Sequence, residues 1–419
     1  MLTVINVWPT GLVMLVLLLL AMVVARVVPF YRQLILPTSK KVGPIERFSE
    51  IDGLRGFLAT GVFFSHAASQ YFYYGDGKWD WPPSRFYTLA GQVPVIIFFM
   101  ITGFLFWNKA LNKPLNVWSF YRARFLRIMP LYGLLVVFVL FAAGVHSRFA
   151  LQEPLAGFLR EIARLIIPGQ HPMPMVNGFD ARFMMMMSWT LFYECLFYLI
   201  FPLLALCTLR RRFRLLCASA GVIYVATEAA FQFIDQLPQS VAAFVQAMLA
   251  IVDPRFFILF ILGMLAAQAL RVMPKLASER RLATTLIAGT ALVALGRFCD
   301  GAYTPLGFAL SFVVFFCITC GADFFGLLVA APARLLGTIS YSVYLLHMTV
   351  LFLVLKCVDA LTPIRSMDAW HYWMLTSAIG ILAIAVSMFS YRFFEHPFLR
   401  LGKVQPAKVA KNSPKARNE

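Results

Sequence analysis

Charge is what this sequence lacks most. Only 13% of its 419 residues are Asp, Glu, Lys or Arg, and just 19 are acidic. A water-soluble domain needs more polar surface than that, so a soluble enzyme or binding module is excluded. Short segments of alternating hydrophobicity are also missing, which removes a transmembrane β-barrel. Cysteine is sparse: seven residues, most of them inside apolar stretches. Cys317 and Cys320 have the C-x-x-C spacing but lie in the run FVVFFCITCGA with no second ligand pair nearby. They read as small core residues, and no metal site is expected.

What is present is apolar length. Hydrophobic residues make up 61% of the chain, and the mean hydropathy is +0.77. Lipid admits only helices and closed barrels, so the pattern predicts an all-α, polytopic membrane helix bundle. Eleven candidate spans begin near residues 9, 53, 90, 128, 188, 214, 255, 282, 303, 334 and 371. Each needs ~20 apolar residues to cross the bilayer.

The net charge of +18 is explained by anchoring rather than by nucleic acid, which is not an expected partner. The first span, GLVMLVLLLLAMVV, has no basic residue before it and Arg26, Arg32, Lys40 and Lys41 after it. It reads as a retained anchor over residues 1–32 with its N-terminus outside. Roughly three quarters of the 37 Lys and Arg residues then fall on the cytoplasmic side. The segment 401–419 is basic, contains proline and is expected to be a disordered cytoplasmic tail. The stretch LQEPLAGFLREIARLIIPG is expected to lie on the outer membrane surface, because charge and Leu/Ile alternate at helical spacing. QSVAAFVQAMLAIVD is expected to do likewise or to dip into the protein.

Ionisable residues inside such spans are costly and usually face a protein interior or a water-filled cavity. His66, Glu194 and His347 are expected at one depth in the outer half: each lies ~20 Å above the inner face at helical rise. A histidine titrates near neutrality and can take a proton from an attacking hydroxyl, and a nearby carboxylate can orient the ring. A second set gathers at the inner face: Arg47, Asp52, Arg55, Arg122, Arg124, Arg127 and Glu395. Arg124 and Arg127 are three apart, on one helix face, and suit an anionic, phosphate-bearing ligand. Asp52 is placed to cap a helix N-terminus and pair with Arg55, and Glu395 to brace an inner arginine. The Met run at 184–187 reads as flexible apolar filling.

Six blocks, in order, carry a likeness: RFSEIDGLRG with His66 fourteen residues after Asp52, then FFMITGFLF, RARFLRIMP, SWTLFYECLFYLIFP, LGTISYSVYLLH and YRFFEHPF, spanning about residues 47–399. In these the chain resembles the acyltransferase-3 family of integral membrane acyltransferases. The resemblance implies a ten-helix core at 47–400, to which the span at 9–30 is an addition. It implies transfer of an acyl group, commonly acetyl from acetyl-CoA, to a hydroxyl of an outward-facing glycan or glycolipid. His66, with Asp52 and Glu194, would be catalytic. Arg124 and Arg127, with Arg122, Arg55 and Arg47, would engage acyl-CoA. His347, Ser340, Tyr341, Tyr344 and Trp189 would bind or orient the acceptor, and Glu395 would be structural.

The chain departs from the family pattern at Ile96, Thr102 and Ala123, with Arg122 standing beside the last. Many relatives carry an outward hydrolase-like domain that this sequence does not contain, so the expectation is action alone or with a partner protein in its place. The expected partners are otherwise acyl-CoA as co-substrate, an acceptor sugar and membrane lipids, with no permanently bound cofactor. The expected location is a bacterial inner membrane. The rival reading is a transporter or flippase of an anionic glycolipid or polysaccharide precursor, which would also need arginines at one mouth and buried titratable groups.

Overall fold

A computed structural model describes residues 3–35, 48–169, 175–208, 213–236, 238–273 and 281–402. Arg47 and the segment 403–419 lie outside the described residues. The fold is a polytopic bundle of helices, with one two-residue hairpin, Met175–Val176 (β1) against Phe179–Asp180 (β2), as its only sheet among the described residues.

The long helices are α1 (Trp8–Val27), α3 (Ser49–Asp76), α4 (Arg85–Asn112), α5 (Val117–His146), α8 (Ser188–Thr208), α9 (Phe213–Phe233), α11 (Arg255–Val272), α12 (Arg281–Phe298), α13 (Pro305–Thr319), α15 (Ser340–Asp359) and α16 (Ala369–Ser390). Shorter helices are α2 (Pro29–Ile35), α6 (Leu155–Ile166), α7 (Arg182–Met185), α10 (Gln239–Ile251), α14 (Ala331–Thr338) and α17 (His396–Leu401). Ten of the eleven predicted spans coincide with a long helix. Nine helices among the described residues are long and apolar enough to cross a membrane. The other two are α13, at 15 residues, and α3. Helix α3 is long enough, but Asp52, Arg55, His66, Ser69 and Gln70 dilute its apolar character, and much of its surface is turned into the protein.

One expectation is corrected. The predicted span starting near 334 is two helices, α14 and α15, separated at Ile339, where φ is −93° and ψ 5°. That ψ breaks the helical hydrogen-bond ladder, so Ser340 starts a fresh helix. His347 therefore stands seven residues into α15, not thirteen into a longer one.

Close helix crossings set the positions of the polar residues. A side chain at Gly103 would overlap the Phe260 carbonyl, and one at Gly263 the Met100 carbonyl. Helices α4 and α11 thus cross backbone to backbone, as small residues allow in membranes. The second crossing joins α3 to α14 and the turn before it: a side chain at Gly53 would strike the Leu328 carbonyl, and one at Gly337 the Asp52 carbonyl. The D-G-L-R-G sequence is therefore a packing surface as much as a polar one, and it holds Arg55 at a fixed height.

Two ends of the bundle can be told apart. At the basic end, Arg271 donates to the Leu111 carbonyl at 3.0 Å and Arg281 approaches Asp323 at 3.9 Å. At the far end, Arg85 pairs with Asp300, and Gln92 accepts from the Ala302 amide at 2.5 Å. Helix α6 also belongs to the far end, and only its Leu165 is buried. Helix α1 is docked rather than loose. It buries Val13, Leu17, Ala21 and Ala25, and Thr10 shares a 2.7 Å hydrogen bond with Tyr87. Tyr31, in α2, donates to the Met388 carbonyl. Cys317 and Cys320 are free and buried.

Candidate active site

A cavity of about 270 Å³ opens among α3, α4, α5, α8 and α15. Its polar wall follows from helical spacing. Thr190, Glu194 and Tyr198 recur every four residues on α8, Arg124 and Arg127 stand three apart on α5, and Ser340 and Tyr344 a turn apart on α15; all line it. Arg55 completes the set from α3.

The Glu194 carboxylate accepts from Tyr198 at 2.8 Å and from Thr102 at 3.3 Å. The Arg124 guanidinium lies 4.9 Å from the Phe106 ring centroid and 5.9 Å from that of Tyr198. Its Nε is buried with no hydrogen-bond partner among the described residues. Arg127 pairs with Glu395 at 3.4 Å and lies over the Tyr341 ring at 5.2 Å. Glu395 is 1% exposed. It comes from the π turn Tyr391–Glu395, a wider loop of helix just before α17, and π turns recur at functional sites. Asp52, in the first turn of α3, is an electrostatic neighbour of Arg55.

The second polar centre is a histidine pair. His66 Nδ1 lies 3.1 Å from His347 Nε2. His347 Nδ1 lies 3.0 Å from the Val343 carbonyl. A carbonyl only accepts, so Nδ1 of His347 carries the proton and its Nε2 lone pair faces His66. With both rings neutral, His66 must then donate from Nδ1, which leaves the lone pair on its Nε2. The Trp79 ring lies 6.1 Å from the His66 ring at an interplanar angle of 18°. Trp79 itself packs on Phe183 and Tyr73.

The structure brings some predicted residues together and separates others. Arg55, Arg124, Arg127, Glu194, Ser340, Tyr341 and Tyr344 share the cavity, whereas His66 and His347 bond to each other and do not line it. Glu194 is thus grouped with the arginines and not with the histidines. The two centres meet at Tyr344, whose hydroxyl is 3.0 Å from Thr190 Oγ1 and whose ring centroid is 6.2 Å from that of His347. Asp52 cannot act directly on His66: fourteen residues of one helix put them ~21 Å apart. Arg122 is exposed and does not line the cavity. Trp189 packs on Tyr193 and Phe256 and does not line it either.

Sequence reasoning missed Thr190, Tyr198 and Trp79. The first two stand four residues either side of Glu194, a signal that was available. Trp79 sits in the loop after α3, and no local pattern marks it. Among the described residues no group of three or more His, Cys, Asp or Glu side chains could hold a metal ion.

Comparison with known proteins supplies the family. The chain is similar to Acyltransferase MdmB of Streptomyces mycarofaciens, 34% identical over 167 residues, which are 38% of this chain and 39% of that protein. It is also similar to Protein 2 in the picA locus of Rhizobium radiobacter, 28% identical over 200 residues, 44% of this chain and 96% of that one. The match thus spans well under half of the first relative's length. No solved structure matches the chain significantly. Residues 48–392 match the acyltransferase domain family, from the start of the D-G-L-R-G helix into the π turn that carries Glu395. This chain therefore belongs to the acyltransferase-3 family of membrane acyltransferases.

Proposed function

We propose that this protein transfers an acyl group, acetyl in the first instance, from acyl-CoA at the basic end to a hydroxyl of a glycan or glycolipid at the far end. The basic end faces the cytoplasm in this reading, so the N-terminus lies outside and the C-terminus inside a bacterial inner membrane. The observation that carries the proposal is the Val343–His347–His66 chain of contacts. It leaves His66 Nε2 as a buried base directed away from His347, whose ring neighbours Tyr344 on the cavity wall.

The cavity fits one part of the donor. Arg124 offers a buried Nε without a partner among the described residues, and Ser340 a buried hydroxyl in the same state. Both suit the amide and phosphate oxygens of a coenzyme A arm. A volume of about 270 Å³ suits the slender pantetheine thioester, with the nucleotide held outside at the basic mouth, where Arg122 adds charge. Arg127 is already paired with Glu395, so its share in binding is smaller than that of Arg124. Arg47, outside the described residues, remains a proposed nucleotide contact.

His66 Nε2 takes the proton of the acceptor hydroxyl as its oxygen attacks the thioester carbonyl. His347 holds the His66 tautomer. Glu194, fixed by Tyr198 and Thr102, offsets the arginine charge while the donor is absent. Trp189 and Tyr341 buttress the walls. Asp52 positions Arg55 rather than acting at the reacting atoms. The transporter reading has no observation of its own in favour, and membership of an acyltransferase family weighs against it.

The test is mass spectrometry of surface glycans from cells with and without the gene, and with His66→Ala. Loss of an acetyl-sized adduct in both altered strains is expected. An unchanged adduct in cells that make only the His66→Ala protein overturns the assignment of His66.

A further inference from the structure

Resting on that acyl-transfer reading, we infer that the Tyr344 hydroxyl is the donor that stabilises the oxyanion formed on the thioester carbonyl. The inference comes from counting protons on the cavity hydroxyls. Thr102 and Tyr198 give theirs to Glu194. Tyr341 gives its proton to the Ile128 carbonyl at 2.9 Å. Thr190 gives its proton to the Met187 carbonyl at 3.0 Å. Thr190 has only one proton, so in its 3.0 Å contact with Tyr344 it must accept and Tyr344 must donate.

That makes Tyr344 distinct. The acceptors of the other committed hydroxyls are a carboxylate or peptide carbonyls, which hold a proton well. Tyr344 rests on a neutral threonine oxygen, which an oxyanion readily replaces because charge-assisted hydrogen bonds are the stronger kind. Ser340 has no hydrogen-bond partner among the described residues, but it lies one turn closer to the basic end of α15, away from the base. Tyr344 lies three residues before His347 on the same face of α15 and lines the cavity. The donor on the cavity wall is thus one ring contact from His347 and, through it, from the His66 base, and a tetrahedral intermediate needs donor and base close together.

In the transfer step, the acceptor oxygen bonds to the thioester carbon while its proton passes to His66 Nε2. The carbonyl π electrons move to oxygen, which takes the Tyr344 hydrogen bond from Thr190. Collapse re-forms the carbonyl, breaks the carbon–sulfur bond and expels the CoA thiolate, which recovers the proton from His66.

The experiment uses the full chain in lipid vesicles with acetyl-CoA and the acceptor identified by glycan mass analysis. Tyr344→Phe should lower kcat by about 100-fold or more, with acetyl-CoA dissociation and both KM values within about threefold of wild type. A kcat within threefold of wild type overturns the inference. Should the Phe protein lose acetyl-CoA binding through misfolding, fluorotyrosines at 344 decide: kcat must vary with phenol acidity, and a flat series overturns the inference. A wild-type protein that transfers no acyl group overturns the functional reading itself. Transfer by wild type beside equal transfer by Tyr344→Phe overturns only the role of Tyr344.

Discussion

Replacing His347 with Leu tests the tautomer argument directly. His347 is fully buried, and its Nε2 faces the Nδ1–H of His66 at 3.1 Å. Leucine fills similar space but accepts nothing. The His66 Nδ1–H then loses its imidazole acceptor and keeps only a backbone neighbour, Val62, a loss of up to about 1–3 kcal/mol. With His347 no longer holding the tautomer, the ring is freer to turn or to move the proton to Nε2, and either removes the base from the acceptor side. At ~1.4 kcal/mol per tenfold, the transfer rate should fall about 5–150-fold. Removing the base itself, in His66→Ala, should cost more, about 10²–10⁴-fold. His347→Gln supplies a carbonyl oxygen to the same proton and should recover part of the loss. The assay is the rate at which acyl adduct appears on surface glycans in cells with matched membrane levels of each variant. Wild-type rates in the Leu variant, or a Gln variant as slow as Leu, would refute the reasoning.

Other outcomes follow from the same geometry. Arg124→Ala should weaken acyl-CoA binding by about 10–150-fold, the loss of one or more charge-assisted hydrogen bonds, measured by calorimetry on protein in nanodiscs; unchanged affinity would remove Arg124 from the donor site. Glu395→Ala should destabilise the protein by about 3–5 kcal/mol, because it leaves Arg127 buried without its partner; an unshifted thermal transition in detergent would show that the pair is solvated. Gly263→Leu should prevent the α4–α11 crossing and cost about 1–3 kcal/mol or more, since the new side chain meets the Met100 carbonyl; a monodisperse variant of wild-type stability would contradict that packing. In the far-end hairpin, partial burial raises the Asp180 pKa, but the hydrogen bonds from Arg182 outweigh it and hold the carboxyl below its usual range. A depressed native pKa gives stability that is present above the ordinary carboxylate value and lost as pH falls through the native one. Cleavage of the 175–187 segment by pepsin should therefore rise only at strongly acidic pH. Asp180→Asn should raise it at milder acidity, by under ~1 kcal/mol because both side chains are partly exposed.

Much of the site was legible because its residues are anomalies. Asp52, Arg55, His66, Glu194 and His347 each interrupt an apolar run, and lipid makes such interruptions expensive enough to need a reason. Arg124 and Arg127 were legible as a pair because three residues return to the same helix face. Helical rise supplies an expected depth as well, but depth is one coordinate of three. The expectation of one height for His66, Glu194 and His347 does not say which faces they occupy, and Glu194 faces the arginines instead of the histidines. The choice of Arg127 as the partner of Glu395 depended on a π turn that no residue pattern announces.

The sequence by itself determined the class of molecule, an all-α membrane bundle, and the helices that carry its polar groups, because hydropathy and helical periodicity act locally. Only the tertiary structure decided that His66 meets His347 while Glu194 meets Tyr198 and Thr102, and that Tyr344 stands between the two centres. Those partners come mostly from helices far apart in the chain. Their rotation about the helix axes is set by backbone crossings at Gly53, Gly337, Gly103 and Gly263, and such crossings are properties of packed pairs rather than of any one segment.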